Sequence, residues 1–351
     1  MVDMAARGIR TIFLTGASGV VGQALLQKVP DVRVVCLTRR KPLTGPNIRS
    51  LPGDVATPYF GLTSREFEDL ARRTDYIVHS AANTNFSLPD KLLFATNVNG
   101  TKNVLELAAR AKAPVCHIST AFAYSDDYSS GQRRAPAYEL SKLESERIVR
   151  DSGVPHVIVR PSVVIGDSTT GWMDHFQGFH FLMDLTVRGM LPVPSASSAL
   201  VDFVPQDLVA SVIAALIRRN DVTGEYWITA GTQALSLDRI VNVWAEHVSR
   251  VTGAVFKRPR FVDPDIIERL ILPVILPALP SDVQVQMRAA LQMSKYFNMT
   301  RPFPSSLIEL TSELGTPALP DSEVTLARNA EFWASTSEHT KAPSLVLSQQ
   351  A

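Results

Sequence analysis

A chain of 351 residues can bury a full hydrophobic core, and it suits one α/β unit with an appended lobe better than two independent domains. Its 35 Lys and Arg stand against 34 Asp and Glu, a net charge of +1, which excludes a basic field for nucleic acid and makes a small molecule the default partner. The opening "MVDMAARGIR" lacks an apolar signal core, and both cysteines, Cys36 and Cys116, sit in strand-like apolar runs, so the expectation is a cytoplasmic protein with buried thiols.

The first apolar run, "TIFLT", passes directly into "GASGVVG" and then into the amphipathic "QALLQKV". Gly16, Gly19 and Gly22 are spaced G-x-x-G-x-x-G, one residue wider at the start than the dinucleotide fingerprint, and alone they also suit a plain turn. A strand before and a helix after favour a phosphate loop, because the opening turn of the helix presents unpaired N–H groups. The next strand, "VRVVCLT", ends at Arg39 and Arg40, about 20 residues beyond the glycines, where a dinucleotide fold meets the adenosine ribose. An acid there favours a free 2′-hydroxyl and arginine a 2′-phosphate, so NADPH/NADP+ is the expected cofactor. The bland alternative is two arginines capping a solvated strand end. Past a third strand, "LPGDVATP" offers Asp54 either to the adenine amino group or to a turn.

"YIVHSA", "PVCHIST" and "HVIVRPSVV" continue the buried strands, separated by segments of helical spacing such as "NVNGTKNVLELAARAK" and "AYELSKLESERIVRDSG". The alternation specifies an α/β fold, a doubly wound parallel sheet of Rossmann type. After Gly166 the rhythm breaks into "GDSTTGWMDHFQGFHFLMDLTVRG", which reads as an insertion into a smaller, mainly helical substrate lobe; His175 and His180 lack metal-ligand spacing and read as polar lining. "VDFVPQDLVASVIAALIRR" returns to the core, and proline-punctuated helical segments from Thr232 complete the lobe. The expected division is an NADP-binding core over 8–166, an insertion over 167–200, a return over 201–231, a C-terminal lobe over 232–335 and a flexible tail over 336–351. "LILPVILPALP" is too short and too interrupted to span a bilayer; it reads as a packing helix, with peripheral membrane contact as the alternative.

"YELSK" carries the chemistry. Tyr138 and Lys142 stand four residues apart on one helical face after the fifth strand, so the ammonium is expected to lower the phenol pKa from about 10 and to reach a cofactor ribose. "HISTAFAY" ends the preceding strand with Ser119 and Thr120, hydroxyls placed to hold a carbonyl oxygen. A lone Y-x-x-x-K is common on surface helices. Following a glycine loop and strand-end hydroxyls in this order, it reads as a proton donor beside a hydride carrier.

These residues resemble the extended short-chain dehydrogenase/reductase family, along nearly the whole chain. The resemblance implies Thr120, Tyr138 and Lys142 as the catalytic set and the loop from Gly16 to Gly22 as the pyrophosphate site. It also implies cofactor contacts from Thr15, Ser18, Val20, Arg39, Arg40, Asp54, Val55, Ala81, Ala82, Asn97, Pro161 and Val164, with no metal. The stretches "GDVATPYFGL", "DYIVHSAANTNFSLP", "NVNGT", "RPSVVIGDSTTGW" and "VDFVPQDLVA" look like the thioester-reductase and fatty-acyl reductase (male-sterility-type) branch. That branch implies NADPH-dependent reduction of an acyl thioester to an aldehyde, with a second hydride giving the alcohol. Trp172, Phe176, Phe179, Phe181 and Met183 then suit the walls of an acyl site, or plain core. The segment Ser125 to Ala137 is short for the branch, and the 351 residues hold neither an adenylation nor a carrier domain, which leaves open whether the acyl group arrives on an acyl carrier protein, on coenzyme A, or not at all. Arg133, Arg134, Lys257, Arg258 and Arg260 are candidates for a phosphopantetheine or coenzyme A phosphate, or for solvated surface. The same-fold alternative is an NADP-dependent reductase, dehydrogenase or epimerase acting on a ketone, sterol-like or sugar-nucleotide substrate. A sensor without chemistry is disfavoured because both Tyr138 and Lys142 are present.

Overall fold

A computed structural model of the protein describes residues 8–84, 89–123, 136–189, 192–220, 222–256, 259–263, 266–281 and 296–336, with a few positions between 282 and 295. Its first half alternates strand and helix: β1 (Thr11–Thr15), α1 (Val20–Lys28), β2 (Arg33–Thr38), β3 (Ile48–Pro52), α2 (Ser64–Ala71), β4 (Tyr76–His79), α3 (Asp90–Phe94), α4 (Gly100–Ala111), β5 (Val115–Ile118), α5 (Ala137–Asp151) and β6 (His156–Pro161). A single π-helical turn, Ala95–Asn99, joins α3 to α4. The chain continues through β7 (Val163–Ile165), α6 (Gly178–Val187), β8 (Val193–Pro194), β9 (Leu200–Val201), β10 (Phe203–Pro205), α7 (Gln206–Arg219) and β11 (Thr223–Ile228). It ends with β12 (Leu235–Ser236), α8 (Leu237–Thr252), β13 (Phe261–Val262), α9 (Leu307–Leu314) and α10 (Ser322–Thr336).

Seven strands pair in the order β3-β2-β1-β4-β5-β6-β11, every pair parallel. Parallel strands need both faces covered, and their sequences accordingly lack polar alternation: all of β1 and all of β4 are buried. Leu25 of α1 and Ile213 of α7 pack into the apolar cluster on one face, and Phe67 of α2, Val104 of α4 and Val149 of α5 into the cluster on the other. The Thr63–Glu66 capping box starts α2 and turns Phe67, Leu70 and Ala71 inward. Winding runs outward from β1 to β3 and, in the opposite sense, from β4 to β11. A crevice therefore opens at the carboxyl ends of β1 and β4, where doubly wound sheets bind their ligands.

The run "HVIVRPSVV" reads as one strand but folds as two. Pro161 has no N–H for the ladder, and the Ser162 N–H donates to the Ile228 carbonyl at 3.1 Å before β7 leaves the main sheet to pair with β10. The seventh strand, β11, carries no strong signal of its own. It is an edge strand with Gly224 and Glu225 inside it and a half-exposed pattern.

The lobe packs around Phe179, Met183, Trp244, Phe297 and Trp333. Phe179 and Met183, offered above as acyl walls, have no exposed surface. The Phe179 ring lies 5.6 Å from Trp244 and 5.8 Å from Phe297, so these two residues are core. His180 is likewise not a lining residue. It is fully buried, with Nε2 2.9 Å from Asn329 Oδ1, while Asn329 Nδ2 donates to the Gly171 carbonyl at 2.9 Å. The imidazole thus braces α6 and the inserted loop against α10. His175 is exposed beside Asp174 at 3.1 Å. Between Ile267 and Leu276 the helical turns bury those two residues and expose Leu270 and Val274. Among the described residues no helix is long and apolar enough to cross a membrane. Thr336, the first residue of the expected tail, closes α10, and the rest of that tail, from 337 on, lies outside the described residues.

Candidate active site

Two glycines of the loop are set by the protein itself. Gly16 has φ +73°, and a Cβ there would stand 2.5 Å from the Ala81 nitrogen; a Cβ on Gly22 would stand 2.3 Å from the Gly16 carbonyl oxygen. Gly19 differs. A Cβ would meet only the Gly16 oxygen at 3.3 Å, and Ser18 and Gly19 are exposed, so its smallness serves whatever approaches from the crevice. Gly19 is also the N-cap of α1 with no side-chain cap, and Val20 opens the helix, which leaves N–H groups and the positive end of the helix dipole facing outward. These features fit a dinucleotide pyrophosphate.

Arg39 and Arg40 follow β2 directly and are exposed. The Arg39 side chain is 60% exposed and lies 3.7 Å from Asp54 Oδ2. The other Asp54 oxygen accepts from the Ala56 N–H at 2.9 Å, so Asp54 closes a turn after β3 beside Arg39. Val55 is buried, and its carbonyl accepts from Asn103 Nδ2 at 2.7 Å. After β4, Ala81 and Ala82 are half-buried at the crevice, and Asn97 Oδ1 accepts the Asn83 N–H at 2.7 Å. Pro161 ends β6, and Val164 is buried in the apolar cluster of the sheet.

Thr120 follows β5 and Tyr138 lies in the first turn of α5, and their hydroxyls are hydrogen-bonded to one another. Burial and the adjacent Glu139 push the phenol above its ordinary value, against the pull of Thr120. This corrects the expectation that Lys142 lowers it. Lys142 is buried, its Nζ donates to the Ile118 carbonyl at 2.7 Å, and burial pulls the ammonium down to about 8 while Glu146 opposes the shift. Glu146 is held by the buried Arg160 at 2.9 and 2.7 Å, and Arg160 stacks over Trp227 at 5.1 Å. The base of α5 is therefore clamped to β6 and β11. Ser119 is buried behind Thr120, and the Phe122 ring, in the turn after Thr120, meets Tyr296 at 4.7 Å and Phe303 at 5.2 Å.

His79 was not singled out by sequence. Its one signal is a polar residue closing an otherwise apolar strand. Cys36 and Cys116 are buried free thiols, raised by burial to about 11 and about 12. Arg133, Arg134, Lys257 and Arg258 lie outside the described residues; Arg260 precedes β13, its carbonyl accepting from the Val193 N–H. Among the described residues no cluster of His, Cys, Asp or Glu could hold a metal.

A glycine loop closed to side chains at Gly16 and Gly22 at a helix start, facing a hydroxyl pair and a buried ammonium along the same sheet edge, suits hydride exchange with a dinucleotide. That is the work of NAD(P)-dependent oxidoreductases of the extended short-chain dehydrogenase/reductase type, the class whose site this one resembles. More narrowly, residues 40–213 match the NAD-binding family described as male sterility protein. A nonribosomal peptide synthetase of Aspergillus flavus, asaC, is 31% identical over 247 residues, which cover 56% of this chain and 24% of the synthetase. The terminal R domain of the myxalamid PKS-NRPS pathway superposes with a TM-score of 0.73 at 26% identity, over 92% of this chain and 90% of that domain. The Bordetella bronchiseptica enzyme WbmG in complex with NAD shares the fold at a TM-score of 0.64 and 18% identity, over 96% and 97% of the two chains.

Proposed function

We propose that the protein reduces an acyl thioester to an aldehyde with NADPH, the acyl group arriving on a carrier protein or coenzyme A, and that the aldehyde can go on to the alcohol. The observation that carries this reading is the Thr120–Tyr138 hydroxyl pair at the strand end, beside a buried lysine and in line with the glycine loop. Similarity to synthetase reductase domains supports the thioester. Arg39 and Arg40, unopposed by an acid at the end of β2 itself, support a 2′-phosphate.

When bound, the dinucleotide supplies hydride. The loop from Gly16 to Gly22 and the start of α1 would hold its pyrophosphate, Arg39 and Arg40 its 2′-phosphate, and Lys142 its nicotinamide ribose. Thr120 and Tyr138 donate hydrogen bonds to the thioester oxygen as it gains charge, and Tyr138 transfers its proton there. Burial suits this role, because a phenol with a raised pKa stays protonated until the oxyanion forms. The hemithioacetal then expels the thiol and leaves the aldehyde.

NADPH oxidation measured against acyl-CoAs, acyl-carrier thioesters, ketones and aldehydes, with the products identified, tests the reading. Turnover of thioesters to aldehyde or alcohol is expected. Turnover of ketones or sugar nucleotides alone overturns it.

A further inference from the structure

Beneath the crevice, a continuous run of hydrogen bonds joins the end of β1 to α5. The Ala81 N–H donates to Thr15 Oγ1 at 3.2 Å, Thr15 Oγ1 lies 2.8 Å from His79 Nδ1, and His79 Nε2 lies 3.1 Å from Thr101 Oγ1. Thr101 Oγ1 donates to the Asn97 carbonyl at 2.6 Å. The Asn97 side-chain amide donates to Ser141 Oγ at 2.9 Å, and Ser141 Oγ donates to the Tyr138 carbonyl at 2.6 Å. Counting protons gives every bond its direction. A hydroxyl carries one proton, and Thr101 places its own on Asn97, so His79 Nε2–H must be the donor to Thr101. A neutral imidazole carries a single N–H, so Nδ1 is bare and accepts the Thr15 proton, while Thr15 accepts from Ala81.

No link can be reversed without stranding its neighbour. A second N–H on the ring would point at Thr15 and leave that hydroxyl proton without its acceptor. Burial, reinforced by the charge of Lys142, holds the imidazole down to about 3, so the neutral ring is the form present at neutral pH. His117, whose ring centroid is 5.3 Å away, is buried with neither nitrogen partnered among the described residues, and it makes no competing bond to His79. The two ends of the run are both consequential. Thr15 immediately precedes Gly16, and Ser141 sits between Tyr138 and Lys142 in α5.

We propose that His79 is a positioning residue for hydride transfer: its Nε2–H tautomer fixes the direction of one hydrogen-bond run that sets the glycine loop at one end and the Tyr138 helix at the other. The proposal rests on the reading of Tyr138 and the glycine loop given above.

The two ends can be cut separately, because an amide side chain mimics one ring nitrogen at a time. In His79→Asn the amide oxygen takes the place of Nδ1 and still accepts from Thr15; in His79→Gln the amide nitrogen takes the place of Nε2 and still donates to Thr101. Expected for His79→Asn is NADPH affinity near wild type, by fluorescence titration, with kcat lowered about tenfold; His79→Gln should show the converse, each reflecting one lost buried hydrogen bond. The 15N spectrum of the wild-type imidazole, recorded without substrate, should show Nε2 protonated and Nδ1 bare at neutral pH. An Nδ1–H tautomer overturns the proposal, and so do Asn and Gln variants that lose affinity and kcat in equal proportion, as a packing role alone predicts. Should these variants fail to fold, Thr15→Val and Thr101→Val cut the same two bonds from outside, with loss of affinity expected from the first and loss of kcat from the second. A wild-type protein that binds NADPH and reduces no thioester overturns the functional reading instead, and the tautomer and affinity measurements still judge this one.

Discussion

At the scale of single residues, the site separates a proton donor from a charge. Tyr138→Phe deletes one hydroxyl and keeps the ring, so it should lower single-turnover hydride transfer by about 10²–10⁴ while NADPH affinity shifts less than about tenfold. Near-normal transfer in this variant, read by NADPH fluorescence decay, means that the proton comes from another group. Lys142 acts through its ammonium, which burial brings down to about 8. As pH rises through that value the charge is lost, so kcat/KM should fall above about pH 8, and the activity that Lys142→Arg retains should lack that limb of the profile. Arg39→Ala with Arg40→Ala should cost NADPH binding roughly 2–4 kcal/mol and NADH binding far less, because charge-assisted bonds to a 2′-phosphate exist only for the former. Equal losses for the two nucleotides, by titration, would falsify the NADP assignment.

At the scale of the element, the strand-loop-helix unit from β1 to α1 holds glycines of two kinds. Gly22 is required by the fold, since its Cβ would overlap the Gly16 carbonyl oxygen at 2.3 Å, whereas a Cβ on Gly19 would meet that oxygen at 3.3 Å, a tight contact that a small shift relieves. Gly22→Ala should therefore lose roughly 1–3 kcal/mol of stability together with dinucleotide affinity, the cost of forcing an atom into closed packing. Gly19→Ala, which needs only a few tenths of an ångström of give, should lose much less stability than Gly22→Ala while it too loses affinity. Differential scanning fluorimetry beside NADPH titration distinguishes the two; a Gly19→Ala protein that binds normally removes Gly19 from the site.

At the scale of the whole molecule, the fold buries histidines in the neutral form. Burial lowers His79 to about 3, His180 to about 4 and His117 well below its ordinary value. The unfolded chain titrates these rings near pH 6.5, so their contribution is fully present above that pH and is lost as pH falls toward the folded values. Asp202 opposes part of this. Burial raises its carboxyl to about 6, so its contribution is present below about pH 4 and is lost as pH rises through 6. Denaturant unfolding as a function of pH should thus show stability falling below pH 6.5 with a slope of about two protons, at about 1.4 kcal/mol per pH unit for each. A flat profile between pH 6.5 and 4 would show that the rings are solvated or charged in the folded protein.

The order of strands and helices, the glycine loop and the Tyr138–Lys142 spacing were legible because each is a local pattern: apolar runs of strand length, helical period, and side chains one turn apart. The break at Pro161 was not, since one continuous apolar run satisfies either one strand or two, and only the pairing of β7 with β10 decides. The inserted aromatics were ambiguous for a related reason. Periodicity says that Phe179 is buried but not against what, and the packing of Trp244, Phe297 and Trp333 from distant parts of the chain makes it core. The state of Tyr138 was likewise a tertiary matter. Sequence places an ammonium one turn away, but the carbonyl at the end of β5 takes that ammonium's hydrogen bond and burial raises the phenol. His79 is the extreme case, because its tautomer depends on Thr15, Thr101 and Asn97, residues of three different elements that meet only when β1, β4 and the π turn before α4 lie side by side.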